Sequence, residues 1–535
     1  MALFRTLLVA LLIFPAALRA QTTVYRPGQM PVFTFDELKT LSRPKPLSPA
    51  LEKKLHQVLH GVIVDNTASR TAAPIASDKL GPVIRAADWN IERGENFDWV
   101  ALALKDSSAF HDRLLKDNPT LDKTQLDQAT EEAHLLSQSS ILILNEVDLG
   151  MTRSGYRDVA RDLAARLRMN YVYGPEFVEV DPLKLGTEEL TAEDVGGDQQ
   201  LRTDLERELK ADPKLYKGLH GSAILSRYPI SNVRLVRLPV CYDWFGKEVD
   251  SVSQIEAGKR VASDKIFLEK IEREIRRGGR IAIIADLAVK EVPGGKVTVV
   301  NAHLENKCPP ACRVQQMRAI FDQIKDVRSP VVFAGDLNTT NSDASKLSLG
   351  YLAKSKATDY RFWAGQAVRM GTPLPSLFAL NYLKNFNDPT ARDIKVLANN
   401  REAALFSTTE NFRFSDQGRF DFRGDPAFTI NNTGKRLADS NQRDRKGFVY
   451  TFALPRDFKG FFGRFRLDWF FVKPLYDNGH LTGSLSPVFP RTMLSLNDAP
   501  KEHISDHAPI TVELPLHSPW KKEETQATAE ISSTQ

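Results

Sequence analysis

Short apolar runs that end in polar side chains recur along this chain of 535 residues, and they constrain its fold more than any other feature. The stretch VVFAGDLNTT, residues 331–340, is one example: its apolar start predicts a short buried strand, after which Gly335 would let the chain turn. Asp336 and Asn338 are two residues apart, so strand geometry would place both side chains on one face. Together they could hold a cation, a water molecule or a phosphate, although Asp and Asn are also common in turns.

Polar residues close five other predicted strands in the same way. They are Asn90 and Glu92, Asn145 and Glu146, Asn301 and His303, Asp468, and Asp506 with His507. One polar strand end has a simple structural explanation, because polar side chains are stable wherever they face solvent. Six in one chain indicate a functional site, since layered α/β proteins assemble their sites at strand ends from distant parts of the sequence.

The residue types in this set suit one chemistry. Carboxylate and amide oxygens without thiolates favour a hard divalent cation such as Mg²⁺ or Mn²⁺. Two histidines can transfer protons or stabilise charge near neutral pH. Hydrolysis of a phosphate ester needs this combination, because a cation neutralises the phosphate, a base orients water and hydrogen-bond donors stabilise the developing oxyanion.

Between the polar strand ends, hydrophobic periodicity predicts an alternation of strands and helices. Residues 280–289 and 296–304 predict a hairpin, because a Gly-Gly turn separates them. Residues 221–230 and 232–240 predict a second strand pair around Pro229. Helices are predicted at residues 48–63, 155–169, 264–279 and 312–327.

Seven short motifs make the sequence resemble the endonuclease/exonuclease/phosphatase superfamily. They occur in the family's order over roughly residues 83–515, as WNIE (89–92), LNE (144–146), GSAILSRYPI (221–230), NAHL (301–304), GDLN (335–338), RLDW (466–469) and SDH (505–507). Each motif is weak alone, but the ordered set is specific. The resemblance implies an α/β (α+β) fold, a four-layer sandwich of two packed mixed β-sheets flanked by helices, with the active site at one end.

The resemblance also implies a role for each polar strand end. Glu146 would be the principal metal ligand, helped by Asn90, Glu92 and Asp506. The catalytic group would consist of His303, Asp336, Asn338, Asp468 and His507. In this group His507 would pair with Asp468 as the acid/base unit, and His303 would donate to phosphate oxygens. Asp336 and Asn338 would orient the attacking water or the phosphate.

The sequence departs from the family pattern in three places. Glu92 stands where relatives often have Asp, so its ligand role is less well supported. LNE replaces the commoner LQE, which leaves the Glu itself in place. The segment between GDLN and RLDW is longer than is usual in the family, so family averages do not identify the substrate.

These features predict a metal-dependent phosphoesterase that uses Mg²⁺ or Mn²⁺ and hydrolyses a phosphate ester by water attack. A nuclease-like phosphodiesterase is the first interpretation, and a sphingomyelinase or phospholipase C-like enzyme or an inositol-phosphate phosphatase are alternatives. A catalytically inactive binding protein is disfavoured, because every metal and histidine position is filled. The formal charge of +5, from 72 basic and 67 acidic residues, is too small to indicate nucleic acid by itself. No stable protein partner is implied.

Composition also divides the chain into segments. Residues 1–20 resemble a cleaved signal peptide, with a basic start, a short apolar stretch and small residues at the end. We therefore expect a soluble protein exported to the periplasm or the medium. An N-terminal extension would cover residues 21–82 and the catalytic domain residues 83–515. The domain would carry insertions near 181–218 and 341–464, and a disordered tail would cover 516–535.

The three cysteines exclude a disulfide-rich scaffold. Cys308 and Cys312 are close enough in CPPAC to form a disulfide in an oxidising compartment, which would leave Cys241 unpaired. Trp244 and Phe245 lie in a stretch that is both aromatic and basic, so it could touch lipid headgroups or stack on bases. The simpler interpretation, that these aromatic rings cover the core, is favoured.

Overall fold

Two mixed β-sheets pack face to face in this protein, which we describe from a computed structural model. The structure describes residues 22–68, 73–77, 80–189, 210–249, 274–339, 403–422, 450–453, 464–477, 479–482, 484–489 and 492–517, together with residues 199, 200, 203 and 424. Four predictions lie wholly or mostly outside these residues. They are the signal peptide, the tail, most of the 341–464 insertion and most of the 264–279 helix. The described end of that predicted helix is wrong, because Arg276–Gly278 form a strand.

Among the described residues, the first sheet has nine strands. They are β1 (Thr23–Tyr25), β2 (Gly61–Asp65), β3 (Ile75–Ser77), β4 (Gly81–Asn90), β5 (Ile141–Leu149), β6 (Asn170–Glu179), β7 (Leu219–Ser226), β9 (Arg276–Gly278) and β18 (Ile510–Pro515). The strand order is β1-β2-β6-β7-β5-β4-β18, with β3 paired to β4 and β9 paired to β6. Strands β4 and β5 run parallel, so their carboxyl ends lie side by side.

The second sheet has five strands in the part of the chain that the structure describes. They are β8 (Ile230–Arg237), β10 (Ile281–Ala288), β11 (Lys296–Ala302), β12 (Val331–Asp336) and β15 (Asp468–Lys473), in the order β15-β12-β11-β10-β8. The predicted hairpin is confirmed as the antiparallel pair β10–β11. Two small antiparallel pairs lie outside both sheets, namely β13 (Phe452–Ala453) with β14 (Arg464–Phe465) and β16 (Tyr476–Asp477) with β17 (His480–Leu481).

Helices cover the outer face of each sheet. The described helices are α1 (Phe35–Leu41), α2 (Pro49–Leu59), α3 (Phe97–Ala103), α4 (Ser107–Asp117), α5 (Lys123–Ser137), α6 (Val159–Leu167), α7 (Trp244–Glu248), α8 (Pro310–Ile324), α9 (Ala403–Asn411) and α10 (Leu494–Asp498). Helices α1 to α6 and α10 pack on the nine-stranded sheet, and α8 and α9 pack on the five-stranded sheet. None of the described helices combines the length and the hydrophobicity that crossing a bilayer requires.

A continuous apolar layer fills the space between the sheets. Because side chains alternate along a strand, every second residue of the central strands faces this layer. Ile141 and Ile143 on β5 contribute to it from the first sheet, and Val297 and Val299 on β11 contribute from the second. The opposite faces of the same strands pack against the helices. The predicted four-layer sandwich is confirmed.

The strand pair predicted around Pro229 is wrong. Strand β7 pairs with β5 and β6 in the first sheet, whereas β8 pairs with β10 in the second. The chain therefore crosses from one sheet to the other at Pro229. Both strands turn apolar residues toward the same inter-sheet layer, Ile224 from β7 and Leu235 from β8. Their hydrophobic patterns are compatible with a hairpin and with a crossover, so local sequence alone does not distinguish the two.

The predicted Cys308–Cys312 disulfide is also wrong. The bond joins Cys241 to Cys312, with a Cα–Cα distance of 5.9 Å, and Cys308 is not part of it. The segment after β8 carries Cys241 against the first turn of α8, which spacing along the sequence does not reveal. All three sulfur atoms lie within 4.8 Å of one another. The bond fixes this segment. Trp244 in the segment is buried and donates to Glu305 Oε2 at 2.9 Å. The burial of Trp244 agrees with the interpretation that this ring covers the core.

Candidate active site

The polar residues at the strand ends continue the rows of apolar side chains between the two sheets. On β4, Ile84 and Ala86 face the inter-sheet layer, and Asp88 and Asn90 follow at the same two-residue spacing. Other rows end in Asn145 on β5, Asn301 on β11, Asp336 on β12 and Asp468 on β15. Strand pairing places Asn90 opposite Asn145 and Asp336 opposite Asp468. One end of the inter-sheet layer is therefore polar.

Two buried asparagines connect the sheets at this end. Asn145 Nδ2 donates to Asn301 Oδ1 at 2.8 Å, and Asn145 Oδ1 accepts from the backbone N–H of Asp336 at 2.9 Å. Asn301 Nδ2 donates to the carbonyl oxygens of Leu144 and Ala223, each at 2.9 Å. These bonds satisfy the buried amides and fix the separation of the sheets where the functional side chains lie.

Asp336 lies at the centre of the polar cluster. Its Oδ2 accepts from Asn90 Nδ2 at 3.2 Å and lies 3.6 Å from His303 Nε2 and 3.8 Å from His507 Nε2. Its Oδ1 accepts from the backbone N–H of Asn338 at 2.9 Å. Burial raises the pKa of Asp336, and the neighbouring His507 opposes this shift.

His507 and Asp468 form the predicted pair. His507 Nδ1 lies 2.8 Å from Asp468 Oδ2, and both side chains are buried. Burial alone would lower the pKa of His507, but the carboxylates of Asp468 and Asp336 hold it well above the usual range. The backbone of His507 is fixed too, because its carbonyl oxygen accepts from Trp89 Nε1 at 2.8 Å.

His303 is held by residues that the sequence analysis missed. Its Nδ1 lies 3.2 Å from Glu176 Oε1, and Arg280 Nη1 lies 2.8 Å from both ring nitrogens. Glu176 also accepts from Ser222 Oγ at 2.7 Å and from Arg280 at 3.0 Å. The signal for Glu176 was present, because it continues the alternation from Val172, which faces the inter-sheet layer.

Glu146 is directed by a β-bulge. The register between β5 and β7 shifts between Leu144 and Val147, and Glu146 has a φ of 52° there. Its Oε2 lies 3.6 Å from Arg93 Nε. Burial alone would raise the pKa of Glu146, but the charges of Arg93 and His220 hold it well below the usual range. The carboxylate is therefore ionised at neutral pH.

Two more predicted site residues also have the left-handed backbone that non-glycine residues rarely adopt. Glu92 has a φ of 45° and Asn338 a φ of 48°. Asn338 Nδ2 donates to the carbonyl oxygen of Leu304 at 3.0 Å, which links the end of β12 to the segment that carries His303. Such conformations persist only where the surrounding contacts fix them, and they are typical of functional sites.

The other predicted metal ligands form a chain of hydrogen bonds. Asn90 Oδ1 accepts from the backbone N–H of Glu92 at 3.1 Å, and Glu92 Oε2 accepts from the backbone N–H of Asp506 at 3.0 Å. Ser505 Oγ donates to the carbonyl oxygen of Asn90 at 2.7 Å. The first polar strand end is thus joined to the last one, although they are more than 400 residues apart in the sequence.

The structure brings some predicted residues closer together than others. Asp336, Asp468 and His507 place ligand atoms within 4.8 Å of one another. Within the described ranges, Glu92, Glu146 and Asp506 do not form such a group. Their donors are nevertheless carboxylate oxygens, and Asn90 adds an amide oxygen, which is the set that a hard divalent cation prefers. These residues fit Mg²⁺ or Mn²⁺, and the metal roles remain predictions.

Asp88 is a further residue that the sequence analysis missed. Its side chain is fully buried on β4, two residues before Asn90. Burial raises the pKa of Asp88 well above its usual range, and the nearby Asp468 and Asp336 raise it further. The alternation of β4 was a usable signal, since Asp88 shares the face of Ala86 and Asn90.

Two helix-covered mixed sheets with a buried histidine–aspartate cluster at one end define a class of hydrolases that act on phosphate esters. The chain belongs to the Endonuclease/Exonuclease/phosphatase family, whose model matches residues 89–507. The resemblance found in the sequence is therefore confirmed. A comparison with curated proteins finds no match.

The solved structures that match this chain are distant from it in sequence. An endonuclease/exonuclease/phosphatase from Beutenbergia cavernae DSM 12333 is 15% identical, with 81% of this chain and 72% of that chain covered and a TM-score of 0.30. The human Nocturnin catalytic domain with bound sulfate is 13% identical, with 81% and 94% covered and a TM-score of 0.33. An AP endonuclease from Archaeoglobus fulgidus is 13% identical, with 80% and 98% covered and a TM-score of 0.34.

Proposed function

We propose that this protein is an exported, divalent-metal-dependent phosphodiesterase of the nuclease type. The observation that carries the proposal is the convergence of two histidines on Asp336, one of them paired with Asp468 at 2.8 Å. This arrangement offers proton transfer and hydrogen-bond donors, with a charged His507, at one buried point, as in-line hydrolysis of a phosphate ester requires.

Each group has a distinct task in this proposal. Asp336 accepts a hydrogen bond from the attacking water and takes its proton, to which its raised pKa is suited. His507 is charged at neutral pH because Asp468 stabilises the imidazolium, so it donates a proton toward the phosphate or the leaving oxygen. Asn338 fixes Asp336 through its backbone N–H, which donates to Oδ1.

His303 and the metal ligands act on the phosphate. Glu176 and Arg280 hold the His303 ring, whose Nε2 also lies 3.6 Å from Asp336 Oδ2. In this proposal His303 would donate to a phosphate oxygen. Glu146 would hold the divalent cation, with help from Asn90, Glu92 and Asp506. When bound, the cation would neutralise charge on the phosphate.

Export is supported by two observations that are independent of the site. The first twenty residues have the pattern of a signal peptide. The Cys241–Cys312 disulfide is typical of proteins that fold in an oxidising compartment. Localisation can be tested by fractionating cells that express the full chain and sequencing the N-terminus of the product.

A substrate panel tests the proposed function. The purified protein would be assayed with Mg²⁺ or Mn²⁺, each with an EDTA control, on plasmid DNA, RNA, bis-p-nitrophenyl phosphate, sphingomyelin and inositol phosphates. We expect metal-dependent cleavage of the nucleic acids and of the simple diester. Preference for sphingomyelin or inositol phosphates would overturn the nuclease assignment. Absence of cleavage of any substrate, with a folded protein, would favour an inactive binding protein.

A further inference from the structure

A guanidinium group lies beside the carboxylate of Glu146. Arg93 follows β4 in a tight turn and has a φ of 65°, directly after Glu92 with a φ of 45°. Two consecutive non-glycine residues in the left-handed region are costly, so their conformation needs compensating contacts. The contacts of Arg93 supply this compensation, and they direct its side chain toward the proposed metal site.

Arg93 is held between carboxylates from three parts of the chain. Its Nε lies 3.6 Å from Glu146 Oε2, and its Nη2 donates to the carboxylate of Glu274, which lies just before β9. Its Nη1 lies 3.9 Å from Glu95. The Arg93 and Glu146 side chains are 24% and 23% exposed, so both can be reached from solvent.

This geometry has an electrostatic consequence for a cation at Glu146. A divalent ion on that carboxylate would lie within a few ångströms of the Arg93 charge, and the two positive charges would repel each other. An anionic phosphate placed between them would remove the repulsion, because a guanidinium can give two parallel hydrogen bonds to phosphate oxygens. The ion and the phosphate would therefore favour each other's binding.

We propose that Arg93 couples binding of the divalent cation to binding of the phosphate group, by opposing the cation at Glu146 until a phosphate arrives. This inference rests on the proposed metal-dependent function. Arg93 would control when the cation binds, whereas other residues would carry out the hydrolysis. Without phosphate, the cation affinity is weak; with phosphate, both ligands are held together.

Mn²⁺ binding, followed by electron paramagnetic resonance, tests this coupling without any turnover. The titration is done on the full mature chain, with and without methylphosphonate, which has no ester bond to hydrolyse. In the wild-type protein we expect methylphosphonate to tighten Mn²⁺ binding by about fivefold or more. In Arg93→Gln we expect tighter Mn²⁺ binding alone, by about tenfold, and a phosphonate effect below about twofold.

Two further variants make the result specific. Arg318→Gln removes an equal charge from the exposed face of α8 and should leave Mn²⁺ binding and its coupling unchanged. Arg93→Lys keeps the charge but loses the paired donors, so weak Mn²⁺ binding should persist while the phosphonate effect falls. Arg93→Lys also decides the question if Arg93→Gln does not fold.

The possible failures are distinguishable. Wild-type affinity and wild-type coupling in the folded Arg93 variants, or no phosphonate effect in the wild-type protein, would overturn the role of Arg93 alone. Absence of Mn²⁺ binding in the folded wild-type protein, both with and without methylphosphonate, would overturn the proposed metal dependence and the role of Arg93 with it.

Discussion

His507 combines burial with strong electrostatic stabilisation of its charged form. Burial opposes protonation of the imidazole, yet Asp468 at 2.8 Å and Asp336 at 3.8 Å keep its pKa well above the usual range. A buried histidine that carries a charge needs such partners, since an unpaired buried charge is strongly unfavourable. The same contacts that stabilise the imidazolium also orient the ring, so loss of either partner should affect both protonation and position.

Asp468→Asn should lower the pKa of His507, because it removes the nearest negative charge while keeping the shape of the side chain. The alkaline limb of the kcat profile, where His507 loses its proton, should then move to lower pH. Nitrogen chemical shifts of the imidazole in a pH titration measure the pKa directly. If the ion pair only stabilised the fold, Asp468→Asn would lower Tm but would not shift the pH profile of the folded enzyme.

The two residues should also act as one unit. We expect His507→Ala to reduce kcat by roughly a thousandfold or more, and the double variant with Asp468→Asn to be little worse than His507→Ala alone. Steady-state kinetics on the four proteins measure this coupling, with circular dichroism as the control for folding. Multiplicative losses would show that the residues act independently.

At the residue scale, the sequence predicted the positions of the candidate functional side chains. It did not predict the neighbouring residues that hold those side chains in place. Asp336, His303, His507 and Asp468 were predicted from their positions at strand ends, and the structure brings them together. Glu176 was missed because it lies inside a long strand, where the sequence was interpreted only as an alternating pattern. Residues that hold a catalytic side chain from a neighbouring strand become visible only once strand pairing is known.

At the scale of elements, Gly335 has a different role from the expected turn. It lies within β12, opposite Trp469 on β15, and has a φ of 142°. A Cβ atom at this position would lie 1.9 Å from the carbonyl oxygen of Ala302. Strand β12 can therefore approach β11 closely only with glycine here, and this approach delivers Asp336 to the cluster.

Gly335→Ala should destabilise the protein severely, by roughly 3 kcal/mol or more, because the backbone of Ala302 cannot yield without moving β11. Gly294→Ala is the matched control. Gly294 also has a positive φ, of 82°, but its Cβ would meet no atom within 4 Å, so the cost should be about 1 kcal/mol. Urea unfolding curves measure both values, and equal costs would refute the steric argument.

The disulfide connects two elements that are distant in the sequence. Peptide mapping by mass spectrometry, after alkylation at low pH, should find Cys241 bonded to Cys312 and alkylated Cys308. The reason is that the segment after β8 places Cys241 at the first turn of α8. A Cys308–Cys312 peptide instead would restore the pairing expected from CPPAC.

The crossover at Pro229 and the Cys241–Cys312 disulfide differ from the predictions for the same reason. The strands β7 and β8, like Cys308 and Cys312, are neighbours in sequence, and sequence proximity favours pairing them. In the folded chain each finds a partner from elsewhere, because two packed sheets bring distant segments together. Periodicity identified helices α2, α6 and α8 and the strands that end in the polar side chains. The choice of pairing partner, in contrast, is a property of the tertiary structure.

At the scale of the whole molecule, buried carboxylates make stability depend on pH. Glu179 forms a buried ion pair with Arg153 at 2.7 Å, and Glu176 lies beside His303 and Arg280. Burial alone would raise the pKa of each glutamate, but these charges hold both pKa values well below the usual range. Because the folded-state pKa is the lower one, the stabilisation exists above the unfolded value and disappears as pH falls.

Thermal unfolding should therefore show a lower Tm in acid. We expect Tm to fall by at least about 5 °C as pH decreases from 6 to 3, across the unfolded glutamate pKa of about 4.3. Scanning calorimetry measures the change. Glu179→Gln should show a shallower decrease, because one of the depressed groups is gone. A Tm that is constant over this range would contradict the importance of the buried network.

The fold as a whole was predictable because the motifs follow one another in the family's order and contain the polar residues of the site. Short apolar runs predicted the strands, and the resemblance carried by the ordered motifs implied the layers and an active site at one end of the sandwich. The sequence did not predict that residues 22–65 add β1 and β2 to the edge of the first sheet beside β6. The pairing of β2 with β6 depends on the edge of the sheet, which exists only after the sheet has formed.

The proposed function requires the polar end of the sandwich to hydrolyse phosphate esters with a divalent cation held by Glu146. The most direct measurement is the rate of bis-p-nitrophenyl phosphate hydrolysis, as Mg²⁺ or Mn²⁺ is titrated, by the wild-type protein and by Glu146→Gln. We expect activity that rises with the metal and disappears in EDTA, and a variant that is at least about a thousandfold slower at every metal concentration. Full activity in EDTA, or an active Glu146→Gln variant, would show that hydrolysis does not need a cation held by Glu146.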